Sequence, residues 1–140
     1  EEVARTGVGA ATTIPSNPSE SAYRRMVPLG KRAVDMSDET LMGYVTEAYP
    51  IVVFCKQLEN KQRRLMEIME CEILPDNSRN YRTLFRYEIT ENRYEDNQFY
   101  ITGHHVTVNP ISDSLCKRLL ENGMPQERIN LLKKGGQIAV

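Results

Sequence analysis

The sequence predicts a mixed α/β chain with an antiparallel section and a helical C-terminal segment, and three observations predict it. Tyr81, Thr83, Phe85, Tyr87 and Ile89 alternate with Arg82, Leu84, Arg86 and Glu88, the period-two mark of a strand. Ser37 and Ser112 each stand directly before an apolar stripe at helical spacing, as N-caps do. Ile51 to Phe54 is a continuous β-branched and aromatic run.

Taken in order, Ala10 to Ile14 is a small-to-β-branched run between Gly9 and Pro15 and reads as a buried strand. A helix follows, with Pro18 and Ser19 at its start and Glu20 in its first turn. Ala22, Met26 and either Leu29 or Val27 share its apolar face, and Pro28 should end or kink it. Ser37 caps a second helix whose first turn carries Asp38 and Glu39, favourable at the positive end of the helix dipole. Leu41, Val45 and Ala48 form its stripe and Pro50 stops it. Ile51 to Leu58 reads as a strand buried on both faces near its start. Gln62 to Ile73 is rich in Arg, Leu, Met and Glu, which by propensity favour helix.

Pro75-Asp76-Asn77-Ser78 is a turn by composition. After the alternating strand, a polar loop is expected over Glu91 to Asn97, and Phe99 to Val108 continues the sheet. Ile111, Ser112 and Cys116 have the N′, N-cap and N4 spacing of a hydrophobic staple, with Leu115, Leu119 and Leu120 on the apolar face. Asn122-Gly123 ends that helix. Pro125 starts another in which Ile129 and Leu132 point inward, before Gly135-Gly136.

Composition sets limits on function. The 140 residues are 40% hydrophobic and 26% charged, enough chain to bury roughly two-thirds of its unfolded surface. A formal charge of −1 with dispersed Lys and Arg disfavours direct nucleic-acid binding and an anionic membrane surface. The longest apolar run, Ile51 to Cys55, is far short of the roughly 20 residues that span a bilayer. The N-terminal residues carry no apolar signal core, and three cysteines without a Cys-x-x-Cys pair suit a reducing compartment, so a cytoplasmic location is expected. Cys55, Cys71 and Cys116 read as small buried hydrophobes. His104 and His105, adjacent on a strand, point to opposite faces and do not share a metal. Gly30-Lys31 is followed by Arg32 instead of Ser or Thr, and Arg25 stands where a phosphate loop has its leading Gly.

Thr6-Gly7, then Ala11-Thr12-Thr13-Ile14-Pro15-Ser16-Asn17-Pro18-Ser19-Glu20, resembles the segment after the Walker B strand in the secretion traffic ATPases, which power type II secretion, type IV secretion, conjugation and Flp-type pili. Met36 to Met42, Ala48 to Phe54, Lys56 to Lys61, Arg63 to Ile68 and Asn109 to Asp113 are similar to the conjugation-associated branch, so the resemblance covers nearly the whole chain. It implies the C-terminal part of a RecA-like P-loop ATPase domain over 1–62, an antiparallel β extension over 63–109 and a C-terminal helical segment over 110–140. It also implies that Gln62 to Ile73 is a strand, making Arg63 to Val108 a meander.

The resemblance further implies ATP and Mg in the full-length protein, a homo-hexamer, and inner-membrane secretion or pilus platform proteins as partners at the inner face of the membrane. The phosphate loop and the Walker B acid are not in this sequence, so no cofactor and no independent catalysis are expected of the chain alone. Thr13, Ser16, Asn17 and Arg5 are the residues the resemblance places toward nucleotide, and Arg24 and Arg25 could reach a neighbouring subunit. Polar residues after a strand also serve as helix caps or turns. Pro15 stands where the family has His, and Val8 where a second His often occurs. Either this member has drifted from hydrolysis or its branch uses other groups. The rival expectation is a non-enzymatic α+β interaction module.

Overall fold

A computed structural model describes residues 11–16, 19 and 21–134. Among them four helices and four strands form a mixed α/β fold. Helix α1 (Ser21–Lys31) and helix α2 (Asp38–Ala48) come first. Strands β1 (Ile51–Gln57), β2 (Arg63–Ile73), β3 (Arg79–Glu95) and β4 (Gln98–Thr107) follow, and α3 (Asp113–Glu121) and α4 (Gln126–Lys133) close the described chain. The sheet is an antiparallel meander in the order β1-β2-β3-β4. β1 pairs with β2, so one sheet runs across position 62/63.

Helices cover both faces of this sheet. On one, Tyr23, Met26 and Val27 of α1 and Leu41 and Val45 of α2 close over Met69 and Cys71 of β2. On the other, Ile111, Leu115 and Cys116 from the α3 region and Ile129 of α4 close over Leu84 of β3. A third cluster, Leu58, Tyr87 and Ile101, joins the β1–β2 turn to the β3–β4 pair.

Local chemistry accounts for the element ends. Ser37 Oγ accepts from Thr40 N (3.2 Å), capping α2, and Asp38 of its first turn pairs with Lys31. The staple forms as expected, with Ile111 and Cys116 buried in one cluster on either side of the Ser112 cap. At the other end of α3, Met124 N donates to Leu119 O (2.9 Å) and Gly123 N to Leu120 O (3.0 Å), a Schellman motif with Gly123 at φ 91°. The Pro75–Ser78 turn is held by Asp76, whose Oδ1 accepts from the amide (3.0 Å) and hydroxyl (2.6 Å) of Ser78. Those two bonds hold the Asp76 carboxyl below its usual pKa.

Several expectations are corrected. Residues 11–14 form no strand, since no described strand pairs with them; Ala10 lies outside the described residues. Pro28 does not end α1, the first of the two effects expected of it. It removes one donor, but the stripe of Ala22, Tyr23, Met26, Val27 and Gly30 continues past it and holds the helix on α2. Val27 takes the buried position and Leu29 is exposed. β1 is an edge strand rather than one buried on both faces, with Ile51 and Val53 facing solvent. Gln62 to Ile73 is extended, as the resemblance implies, because pairing to β1 and β3 outweighs its helical propensity.

The alternation in β3 does not put its five residues on one face. The register shifts between Ile68 and Met69, leaving Leu84 as an extra residue, so Tyr81 and Thr83 face Cys71 and Met69 whereas Phe85 pairs with Ile68 on the opposite side. The expected loop at 91–97 is strand as far as Glu95 and turns through Asp96 and Asn97 alone. Both have positive φ (51° and 61°), the backbone of a type I′ hairpin. Leu120 lies on the outer side of α3, exposed, and the Leu115 side of the helix carries its packing.

Candidate functional site

Residues 11–16 run without regular structure into the groove between α1 and β1. Ile14 packs against the core of Tyr23, Met26 and Val52, while Thr12, Thr13 and Pro15 are exposed. Ser16 is half-buried and forms one wall of an open cleft of about 830 Å³. Phe54, Met66 and the buried Tyr87 give that cleft an apolar lining, with Glu67 and Thr83 beside them, together with the exposed Lys56 and Arg86.

The cleft owes its shape to a bulge. Between Phe54 and Cys55 the β1–β2 register shifts, so that Met66 is unopposed and the sheet bends just beyond Glu67. Glu67 is satisfied within the fold: its Oε2 accepts from Ser19 Oγ (2.7 Å) and its Oε1 from Thr83 Oγ1 (2.8 Å). This ties the start of α1 to the middle of the sheet and occupies both carboxylate oxygens. Arg86 bonds Glu88 Oε1 through Nη2 (2.9 Å), while Lys56 makes no ion pair among the described residues. Cys55 is exposed at the edge, not buried as expected, because β1 has no neighbour on its outer side.

Such a cleft can hold an acidic or aromatic group, but it lacks the parts of a nucleophilic centre. No His lines it, so Cys55 has no imidazole base there, and Glu67 has both oxygens engaged. The two histidines sit on β4. His105 Nε2 donates to Leu65 O (2.9 Å) and its ring lies 5.1 Å from that of Tyr87. Among the described residues no three His, Cys, Asp or Glu side chains come together as metal ligands, and no helix is long and apolar enough to cross a membrane.

The residues expected to face nucleotide are only partly brought together. Thr13 and Ser16 lie on one short extended segment with Pro15 exposed between them. Arg5 and Asn17 lie outside the described residues. Arg24 and Arg25 are on the exposed side of α1. Gly30 and Lys31 are inside α1, with Gly30 buried, so their amides belong to a helix and cradle no phosphate.

Lys56, Glu67, Thr83 and Arg86 were not apparent as a site from the sequence. Glu67 carries a weak signal, as a carboxylate at a face position that otherwise reads apolar, Val52, Phe54 and Met69. No protein-family model matches this chain, and no curated protein matches it.

Proposed function

We propose that this chain is the C-terminal portion of a secretion, conjugation or pilus motor ATPase with a RecA-like core. In the complete protein ATP hydrolysis would drive transfer of a substrate or pilin. The observation that carries this reading is the order of the resembling segments, from Thr6-Gly7 through the Thr12-Thr13-Ile14 run to Asn109-Pro110-Ile111-Ser112-Asp113, over nearly the whole chain. The exposed placement of Thr13 and the position of Ser16 at a cleft wall are compatible with meeting a ligand held by another part of the polypeptide. Triphosphate and Mg would be held mainly by a phosphate loop and a Walker B acid that this chain does not contain. The reading carries with it a homo-hexamer, platform proteins at the inner face of a membrane, a cytoplasmic location and no direct contact with nucleic acid.

The test compares the chain with the complete polypeptide. Isothermal titration of the 140-residue chain should show ATP binding no tighter than roughly millimolar, with or without Mg. The reading frame upstream of Glu1 should encode a phosphate loop, and the protein it encodes should hydrolyse ATP. A start codon with a ribosome-binding site directly at Glu1 would overturn the reading in favour of a non-enzymatic α+β interaction module. Within the complete protein, Pro15→His should raise turnover if that position faces the γ-phosphate; unchanged turnover in a folded hexamer removes Pro15 from the site.

A further inference from the structure

The last pair between β2 and β3 is Glu67 with Arg86, yet β3 and β4 continue together to the Asp96-Asn97 turn. Among the described residues, the two strands beyond Glu88 form an arm whose ladder is bonded only within itself; Ile101 packs on Leu58 at its base, and Ile89 to Tyr100 are exposed at every position. The arm is aromatic: the Tyr94 and Phe99 rings meet at 4.8 Å, and Arg93 lies 4.3 Å over the Tyr100 ring. Tyr94 remains 60% exposed and Phe99 41%. An isolated two-stranded ribbon is marginal in water, and surface aromatics gathered on one are a contact surface.

The arm is also acidic. Glu88, Glu91, Glu95 and Asp96 against Arg86 and Arg93 leave two net negative charges over residues 86–98. Its ion pairs are internal, Arg86 with Glu88 and Arg93 with both Glu91 and Glu95. The β1–β2 corner has the opposite balance: Lys56, Lys61, Arg63 and Arg64 against Glu59 leave three net positive charges over residues 56–64. Lys56, Lys61 and Arg63 are exposed, and none has an ion pair among the described residues. Beside this corner opens the cleft floored by Phe54 and Met66.

We infer that the β3–β4 arm docks on the basic β1–β2 corner of a second copy of this chain, with Tyr94 and Phe99 over the adjoining cleft. Opposite charge on two exposed surfaces of one polypeptide selects a second copy, and the apolar floor offers the aromatic pair burial that the arm itself lacks. Each copy carries both surfaces. The pairing is independent of the motor reading, since a non-enzymatic module with this fold would associate in the same way.

Sedimentation velocity on the 140-residue chain tests it, at tens of micromolar and at 50 and 500 mM salt. Self-association is expected at low salt and should weaken at high salt, because exposed charges are screened. Glu91→Lys with Glu95→Lys turns the arm net positive, and Lys61→Glu with Arg63→Glu turns the corner net negative. Each pair of substitutions alone should weaken self-association at least tenfold. Mixing the two variant proteins restores both complementary contacts and should recover association, as should the chain carrying all four substitutions. Recovery on mixing also shows that the variants are folded. A chain that stays monomeric at low salt overturns the inference and leaves the arm to a different protein. Association that ignores salt, or variants that fail to recover on mixing while their circular dichroism matches the parent, overturns it too.

Discussion

Ser112→Ala should cost this fold far more than the loss of a hydroxyl at the surface. Ser112 is 1% exposed, and its hydroxyl makes three hydrogen bonds, one of them with Ser114 Oγ (3.0 Å). It accepts from Leu115 N (3.1 Å), capping α3, and it donates to Glu70 Oε2 in a short hydrogen bond. Glu70 is itself 1% exposed on β2, with its other oxygen accepting from Ser112 N (2.8 Å). A carboxylate at a helix N-terminus is well placed electrostatically, which is how the fold holds an acid in its interior with no ion pair of its own among the described residues.

Alanine removes the cap, about 1 kcal/mol, and leaves one oxygen of a buried carboxylate without its hydroxyl donor, about 1.5–3 kcal/mol. The expected loss of about 3–4 kcal/mol is a large share of the roughly 5–15 kcal/mol that stabilises a domain. At about 3 °C per kcal/mol for a chain of this size, the melting temperature should fall by about 10 °C. Urea unfolding followed by circular dichroism measures the loss, and the same substitution in a Glu70→Gln background measures the coupling, expected at about 1–2 kcal/mol. A loss under 1 kcal/mol, or strict additivity with Glu70→Gln, would refute the claim that this pair joins α3 to the sheet.

Gly103→Ala should destabilise by about 3 kcal/mol or more, because its Cβ would lie 2.2 Å from the Glu88 carbonyl oxygen and 2.8 Å from Tyr87 Cζ. Thermal melts and faster amide exchange along β3 and β4 check this, and a parent-like melt contradicts the close approach of the strands. Stability should also fall between pH 9 and 11. Burial pushes the Cys71 thiol from 9.0 up to about 11, with Arg79 opposing and the Glu70 charge reinforcing the rise. Over that window the unfolded chain gives up the proton while the folded chain keeps it, so the stabilisation present below pH 9 is lost as pH rises, by on the order of 2 kcal/mol. Tyr23, raised chiefly by burial, adds a loss of the same sign from about pH 10 upward, where the unfolded chain gives up that proton. In Cys71→Ala the fall between pH 9 and 10 should flatten, and an unchanged slope there assigns it to other groups.

Helix positions were legible in the residues wherever local chemistry decides them. Ser37 and Ser112 accept hydrogen bonds within their own first turn, Gly123 supplies a positive φ, and Pro50 and Pro125 limit what backbone can follow or precede them. Each of these signals acts over three or four residues and needs no partner from elsewhere in the chain. The run Thr12-Thr13-Ile14 looked equally clear and was not a strand, because a strand exists only when another strand pairs with it.

The tertiary structure decided what depends on register. Met66, Leu84 and Thr90 each stand unopposed at a shift in strand pairing, and nothing in their own identity marks them. Those shifts send Phe85 to the opposite face from Tyr81, bend the sheet to open the cleft, and place Glu67 where Ser19 and Thr83 can bond it. The hairpin arm was hidden for a related reason. Glu91 to Asn97 is polar because the arm stands in solvent, and a polar strand whose Arg93 pairs with Glu91 and Glu95 on its own face has the composition of a loop. Composition reports contact with water, and only the pairing of β3 with β4 shows that the backbone there is extended.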